Sequence, residues 1–416
     1  MHLSLAERVS AAYARLFKGS PPERIGIALS GGGDSTALLF LTRQLIPQVN
    51  LFAATVDHRL REGSAAEAEE AGKLCRSMGV PHEILPWEGW AGEGNLQAAA
   101  RSARVALLAD WADRNDLAQV ALGHTRDDQA ETFLLRLARG SGVDGLAAMA
   151  PARVAQGIRW LRPLLDTSRD ELRACLEAQG VAWADDPSNE DERFDRVKAR
   201  RMAESLGQLG LTTERLVRTA AQMAMARDAL NENAANALRR ARLEQGDLLM
   251  PNPGLLDAPR EVQLRAYAHA LRWISSSAYR PRFEPLEALV DGLEPGKAAT
   301  LHGCRITCEG AVWRIAREYA AVAETATPPA ALWDKRWKIE GPPPPAESHI
   351  GALGELGLAE CEDWKASGLP RATLLASPAL WKGERLLAAP LAGRPEGYTA
   401  RLCHGVEHLV SSLWAD

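Results

Sequence analysis

The chain has 416 residues, too many for one ordinary hydrophobic core, so two or three domains are expected. Its 46% hydrophobic and 25% charged residues and mean hydropathy of -0.21 are those of a soluble globular protein, and the absence of any apolar run of bilayer-spanning length excludes a membrane-embedded one. The net charge of -5 excludes a uniformly basic surface but not a local nucleic-acid site, because the field that matters there is local.

The first 17 residues read as an amphipathic helix without a signal-peptide core, which predicts a cytoplasmic protein. From residue 24 to about 185, apolar runs alternate with helical patterns. Strands are predicted at 25–29, 51–56, 82–85 and 117–122, and helices at 36–46, 64–78, 95–114 and 127–139. That alternation predicts an α/β fold, a doubly wound parallel sheet covered on both faces. Ligands of such sheets sit beyond the carboxyl ends of the strands, where Ser30 to Ser35, Asp57 to Arg61 and Gly123 to Asp128 all fall. After residue 201 the texture turns helical through Trp273, then mixed over 281–317, with short strands predicted near 300–306 and 311–315. Residues 325–329 and the run Gly341-Pro342-Pro343-Pro344-Pro345 read as linker. The predicted division is 1–201, a helical and mixed region 202–325, and a small C-terminal α+β domain 346–416 after the proline-rich linker.

Six cysteines (Cys75, Cys175, Cys304, Cys308, Cys361, Cys403) are scattered, with no pair at the two-residue gap of zinc or iron-sulfur sites, so buried free thiols are expected.

The most informative motif is Ser30-Gly31-Gly32-Gly33-Asp34-Ser35, between an apolar strand and a helix. Glycines let the backbone approach an anion, and a helix N-terminus favours one. It lacks the Gly-Lys-Ser/Thr ending of a Walker loop and the three spaced glycines of a dinucleotide fold. Asp34 beside phosphates is repulsive unless a divalent cation lies between, which points to a magnesium-bound nucleotide. Asp57-His58-Arg59-Leu60-Arg61 follows the next strand. Gly123-His124-Thr125-Arg126-Asp127-Asp128-Gln129-Ala130-Glu131-Thr132 is the richest segment. Asp128 and Glu131 share a helix face there and can grip one cation or ammonium together, while helix capping by Asp127 or Asp128 accounts for one carboxylate. Arg101 and Arg104 share another face and suit a phosphate or transition-state clamp, with a surface salt bridge as the ordinary alternative. Asp185-Asp186-Pro187-Ser188-Asn189 is a turn signal. Phe194 among Arg193, Arg196, Lys198, Arg200 and Arg201 suits base stacking and phosphate contact.

The loop at 30–35 resembles the signature of the ATP pyrophosphatase (PP-loop) superfamily, whose members cleave ATP between the alpha and beta phosphates to adenylate a substrate oxygen. The segments at 57–61 and 123–132, Arg162-Pro163-Leu164-Leu165, and Asp185 through Phe194 to Arg196 resemble, in this order, the tRNA(Ile)-lysidine synthase family. The resemblance covers residues 24 to about 201. It implies that 1–201 is a catalytic ATP-binding domain with an adenine nucleotide alpha hydrolase-like fold. The implied reaction adenylates the wobble cytidine of a CAU-anticodon tRNA(Ile) at C2, through its O2. L-lysine then displaces AMP, giving lysidine and switching the tRNA from methionine to isoleucine identity. By the same resemblance ATP is held by Ser30, Gly31, Gly32, Gly33, Asp34, Ser35, Asp57, His58, Gly123 and His124, with Mg2+ on Asp34. Lysine falls to Asp128 and Glu131, and the charged intermediate to Arg101 or Arg104. The tRNA falls to Arg193, Phe194, Arg196, Arg200 and Arg201 and to the parts beyond residue 201. No membrane partner is implied, and a homodimer stays open. Two rivals share the scaffold: a tRNA-thiolating enzyme, which needs reactive or cluster-binding cysteines, and an amidating ligase, which needs no tRNA-binding part.

Overall fold

A computed structural model describes residues 3–59, 63–88, 96–184, 195–251 and 257–414. The chain separates into two compact units, Met1–Arg227 and Asp228–Asp416.

The first unit runs α1 (Leu5–Phe17), β1 (Arg24–Ala28), α2 (Gly33–Leu45), β2 (Asn50–Asp57), α3 (Ser64–Ser77), β3 (His82–Pro86), α4 (Leu96–Arg114), β4 (Gln119–Leu122), α5 (Arg126–Ala138), α6 (Val143–Leu146), β5 (Ala152–Ala155), β6 (Ile158–Leu161), α7 (Arg169–Ala178) and α8 (Asp195–Gly207); α9 (Thr213–Leu238) carries the division into the second unit. Its sheet has the order β3-β2-β1-β4-β6-β5, with every pairing parallel except β5 with β6. Side chains leave each strand on alternate faces, so two cores form. One packs Ile25, Ile27 and Leu161 against Tyr13, Leu38, Leu41, Cys75 and Leu172. The other packs Ala28, Val120 and Trp160 against Leu108, Trp111 and Ala112 of α4. The chain leaves β1 toward β2 on one side and returns to β4 on the other. This reversal of strand order opens a crevice at the carboxyl ends of β1 and β4, the usual ligand position of such sheets.

The second unit holds β7 (Arg242–Glu244), β8 (Asp247–Pro251), α10 (Arg260–Ile274), α11 (Phe283–Asp291), β9 (Ala299–Leu301), β10 (Cys304–Glu309) and β11 (Val312–Arg317). It continues through β12 (Trp337–Glu340), β13 (Ser348–Ala352), α12 (Gly354–Ala359), α13 (Arg371–Leu375), β14 (Pro378–Lys382), β15 (Arg385–Ala388), β16 (Thr399–Leu402) and α14 (Val406–Ser411). A five-stranded antiparallel sheet, β7-β8-β11-β10-β9, shares a core with α10 and α11 through Leu248, Ile306, Trp313, Tyr267, Leu271 and Leu286. A separate core gathers Trp333, Trp337, Ile350, Leu374 and Leu380. The proline run 341–345 falls between β12 and β13, as residues that break ladders should.

Two expectations need correction. The helical stretch predicted through Trp273 is interrupted by the β7–β8 hairpin, and the strand predicted over 300–306 is two strands. Tight turns account for both: Gln245-Gly246 and His302-Gly303 hold two successive residues at positive φ, as a short hairpin linking right-twisted strands requires. Gln156-Gly157 does the same between β5 and β6, a pair the hydrophobic pattern did not signal. Among the described residues no helix is long and apolar enough to cross a membrane.

Candidate active site

The glycine loop lies at the carboxyl end of β1. Gly31 sits at φ 86, a conformation that side chains disfavour, and Gly32 caps α2 without a side-chain bond. The Ser35 hydroxyl ties the turn together: it accepts from Ser30 N–H at 3.1 Å, donates to the Gly32 carbonyl at 3.0 Å and lies 3.0 Å from Ser30 Oγ. Ala184 N–H donates to the Gly31 carbonyl from the far side at 3.0 Å. The first N–H groups of α2, on Gly33, Asp34 and Ser35, precede the helical ladder and face the crevice end of the helix, where an anion is favoured.

The loop after β4 delivers the second set of groups. Thr125 caps α5 in a box with Asp128, whose Oδ2 accepts from Thr125 N–H at 2.8 Å and Oγ at 3.1 Å. Its Oδ1 accepts from Arg169 Nη2 at 2.6 Å. Glu131 Oε1 accepts from Arg169 Nη1 at 2.8 Å and Arg200 Nε at 3.1 Å, while its Oε2 is buried without a partner among the described residues. Arg169 Nε reaches Asp34 Oδ2 at 3.3 Å, so one guanidinium joins the glycine loop to both α5 carboxylates. Burial pushes the Asp34 carboxyl up to about 6, against the pull of Arg169 and with the repulsion of Asp128. Burial also raises Asp128, but Arg169, the Thr125 N–H and Arg196 outweigh it and hold that carboxyl below its ordinary value. Arg169 loses from burial and gains more from Asp128, Glu131 and Asp34, which hold its proton more firmly than usual.

Beside this acidic cluster lies a basic cavity of about 270 Å³, lined by His58, Arg101, Arg104, His124, Arg153, Arg162 and Trp160 among others. Arg101, Arg104 and Arg153 form no ion pair among the described residues. Burial, then neighbouring arginines, lowers Arg101 and Arg104, and takes Arg162 down to about 10. Burial also pulls His124 down to about 3 against the pull of Asp128, with Arg162, Arg104 and Arg196 adding to it, and lowers His58 with help from Arg104. Both imidazoles are therefore neutral at physiological pH, and His58 meets the Trp87 ring edge-on at 5.7 Å. A pocket crowded with guanidinium groups that have no ion-pair partner among the described residues, and with neutral, stackable rings, suits a phosphorylated aromatic ligand.

Most of the residues singled out from the sequence thus meet in one crevice. Asp57 closes the buried end of β2 and accepts from Arg59 N–H at 3.0 Å, so it shapes the turn that presents His58. On α8, Arg196 and Arg201 are exposed, whereas Arg200 turns inward to Glu131. Arg193 and Phe194 lie outside the described residues. Sequence reasoning missed Arg169, Arg153 and Arg162 as site residues. A signal for the first was present: Ser168 and Glu171 form a capping box, which starts α7 at Arg169.

The class follows from the loop, the strand order and the family match together. The model of the PP-loop domain matches residues 5–205, the stretch that holds the crevice. Full-length comparison narrows this further. A tRNA(Ile)-lysidine synthase of Ruegeria pomeroyi is 46% identical over 95% of this chain and 95% of its own length. Proteins of the same name from Methylobacterium nodulans and Mesorhizobium japonicum are 41% and 37% identical, over 68% and 87% of this chain and 84% and 83% of theirs. The chain belongs to the tRNA(Ile)-lysidine synthase family.

Proposed function

We propose that the protein is a C–N bond-forming ligase that converts the wobble cytidine of a CAU-anticodon tRNA(Ile) to lysidine, using ATP and L-lysine. The observation that carries this reading is the single Arg169 guanidinium touching Asp34 of the ATP loop and both Asp128 and Glu131. An activated intermediate formed at the loop would lie within reach of an amine held by those carboxylates.

In the first step O2 of the cytidine attacks the alpha phosphorus of ATP, and the bond to diphosphate breaks. The backbone N–H groups at the start of α2 meet the phosphates. One carboxylate together with substrate phosphates is the usual donor set for Mg2+, and Asp34, half-buried at the head of α2, fits it; a bound ion there would screen phosphate charge. Arg104, less exposed than Arg101 and the one of the two whose charge acts on both His58 and His124, meets the negative charge of the adenylated base, while Arg101 meets tRNA phosphate. In the second step the lysine amine attacks C2 and the C2–O2 bond breaks with AMP as leaving group. The nucleophile must be neutral, so a carboxylate of the Asp128 and Glu131 pair accepts its proton. Arg193, Phe194, Arg196 and Arg201, with residues 202–325 and 346–416, are the tRNA-contacting parts.

The thiolation rival gains no support. Burial pushes the Cys75 thiol up to about 11 and raises Cys175 as well, the opposite of an activated thiolate. Incubating the protein with tRNA(Ile) CAU transcript, ATP, Mg2+ and labelled lysine tests the reading. Lysine enters the tRNA as AMP and diphosphate appear; a folded protein that incorporates none overturns it.

A further inference from the structure

Arg169 occupies the first position of α7, and a cation there works against the helix dipole. Something must compensate, and three carboxylates do. The backbone N–H of the same residue donates to Asp127 Oδ2 at 2.9 Å, which pins the head of α7 to the head of α5. The two remaining sets of bonds leave little acceptor capacity near the amine site. Asp128 has both oxygens engaged, one by Arg169 and one by the Thr125 cap. Glu131 has Oε1 shared between Arg169 and Arg200. Among the carboxylate oxygens of the described residues, Glu131 Oε2 alone is buried with no hydrogen-bond partner, a costly state that an incoming N–H donor relieves.

We propose that Arg169 is a positioning residue that spreads Asp34, Asp128 and Glu131 around its guanidinium and so leaves Glu131 Oε2 as the acceptor for the ammonium of the amine substrate. The inference rests on the amine-transfer reading above. The planar fork matters, because one guanidinium can bond three carboxylates in fixed directions and an ammonium cannot. Without it the carboxylates repel one another, rotate away and lose the geometry that recognises a single ammonium.

The test measures KM for lysine, ATP and tRNA separately in wild type, Arg169→Ala and Arg169→Lys, with and without low-millimolar guanidinium ion. Losing one partner of a buried charge cluster is expected to raise KM for lysine by about thirty-fold or more in Arg169→Ala, with KM for ATP changed much less. Arg169→Lys recovers part of the loss, and added guanidinium lowers KM for lysine in Arg169→Ala alone. A lower KM for lysine in Arg169→Ala would mean that Arg169 blocks the amine site and overturns the proposal. An equal loss toward all three substrates, unmoved by guanidinium, overturns it by making the role merely structural. Wild-type protein that transfers no amine at all would instead defeat the amine-transfer reading, and calorimetric binding of lysine to wild type and Arg169→Lys then decides the role of Arg169 independently.

Discussion

Gly123 lies against the first turn of α2: a Cβ at this position would stand 3.0 Å from both the N and the Cα of Ser35. The loop after β4 is therefore seated directly on the glycine loop after β1, and neither can shift without the other. Both contacts are backbone atoms, which cannot swing aside as a flexible side chain would. Gly123→Ala is expected to cost about 1–3 kcal/mol of stability by overpacking. Because the displaced atoms are those of the proposed phosphate-binding turn, KM for ATP rises about tenfold or more, while KM for lysine follows less. Thermal melting and initial rates check this, and unchanged ATP affinity would separate the two loops functionally.

Thr125 and Asp128 form a box that serves the helix and the substrate site at once. Thr125→Ala removes the hydroxyl that accepts from Asp128 N–H and donates to its Oδ2. Loss of such a cap costs about 1 kcal/mol. It also frees Asp128 to rotate, so KM for lysine rises several-fold although Thr125 touches no substrate. Glu131→Gln leaves the cap intact and raises KM for lysine about tenfold or more with KM for ATP nearly constant. Lysine affinity at the wild-type level in Glu131→Gln would remove Glu131 from the amine site.

The sheet and its crevice were legible because they are written in local pattern. Ile25 and Ile27, Leu38 and Leu41, and Leu108 and Trp111 repeat at the strand or helix period that their burial requires. The glycine loop, Asp128 and Glu131 were legible because their chemistry is concentrated in short runs. Arg169 was not, since its meaning arises only when α7 packs on α2 and its first turn meets that of α5, beside carboxylates 135, 41 and 38 residues away. Arg153 was hidden for the same reason, on a four-residue edge strand joined to β6 by a Gln-Gly turn, and Arg162, legible only as part of the Arg162-Pro163-Leu164-Leu165 segment, directly follows β6. Capping, too, could not be apportioned from sequence: Asp128 caps its own helix, while Asp127 accepts from the backbone at the head of α7.

His124 links the site to the acid stability of the protein. Its imidazole is pulled from 6.5 down to about 3, chiefly by burial. As pH falls below 6.5 the unfolded chain takes up this proton and the folded one does not, so the contribution to stability is complete above 6.5 and is lost progressively toward 3. His124→Gln abolishes that dependence. Between pH 6 and pH 4.5 wild type should lose on the order of 2 kcal/mol more than the variant. Urea unfolding of both proteins at several pH values measures the difference, and parallel stability curves would contradict a neutral His124.

Arg101, Arg196 and Arg169 should separate two kinds of positive charge. Arg101 and Arg196 are exposed and make no ion pair among the described residues, so a phosphate they bind gives up condensed counterions. Arg169 is already neutralised by three carboxylates and has none to offer. Plots of log tRNA affinity against log salt should therefore flatten by roughly 0.7–0.9 in slope for Arg101→Ala and for Arg196→Ala. The slope for Arg169→Ala stays at the wild-type value even though its lysine affinity falls. A slope unchanged in all three variants would move the tRNA backbone off this face, and a reduced slope in Arg169→Ala would mean that its guanidinium leaves the carboxylates for phosphate when tRNA binds.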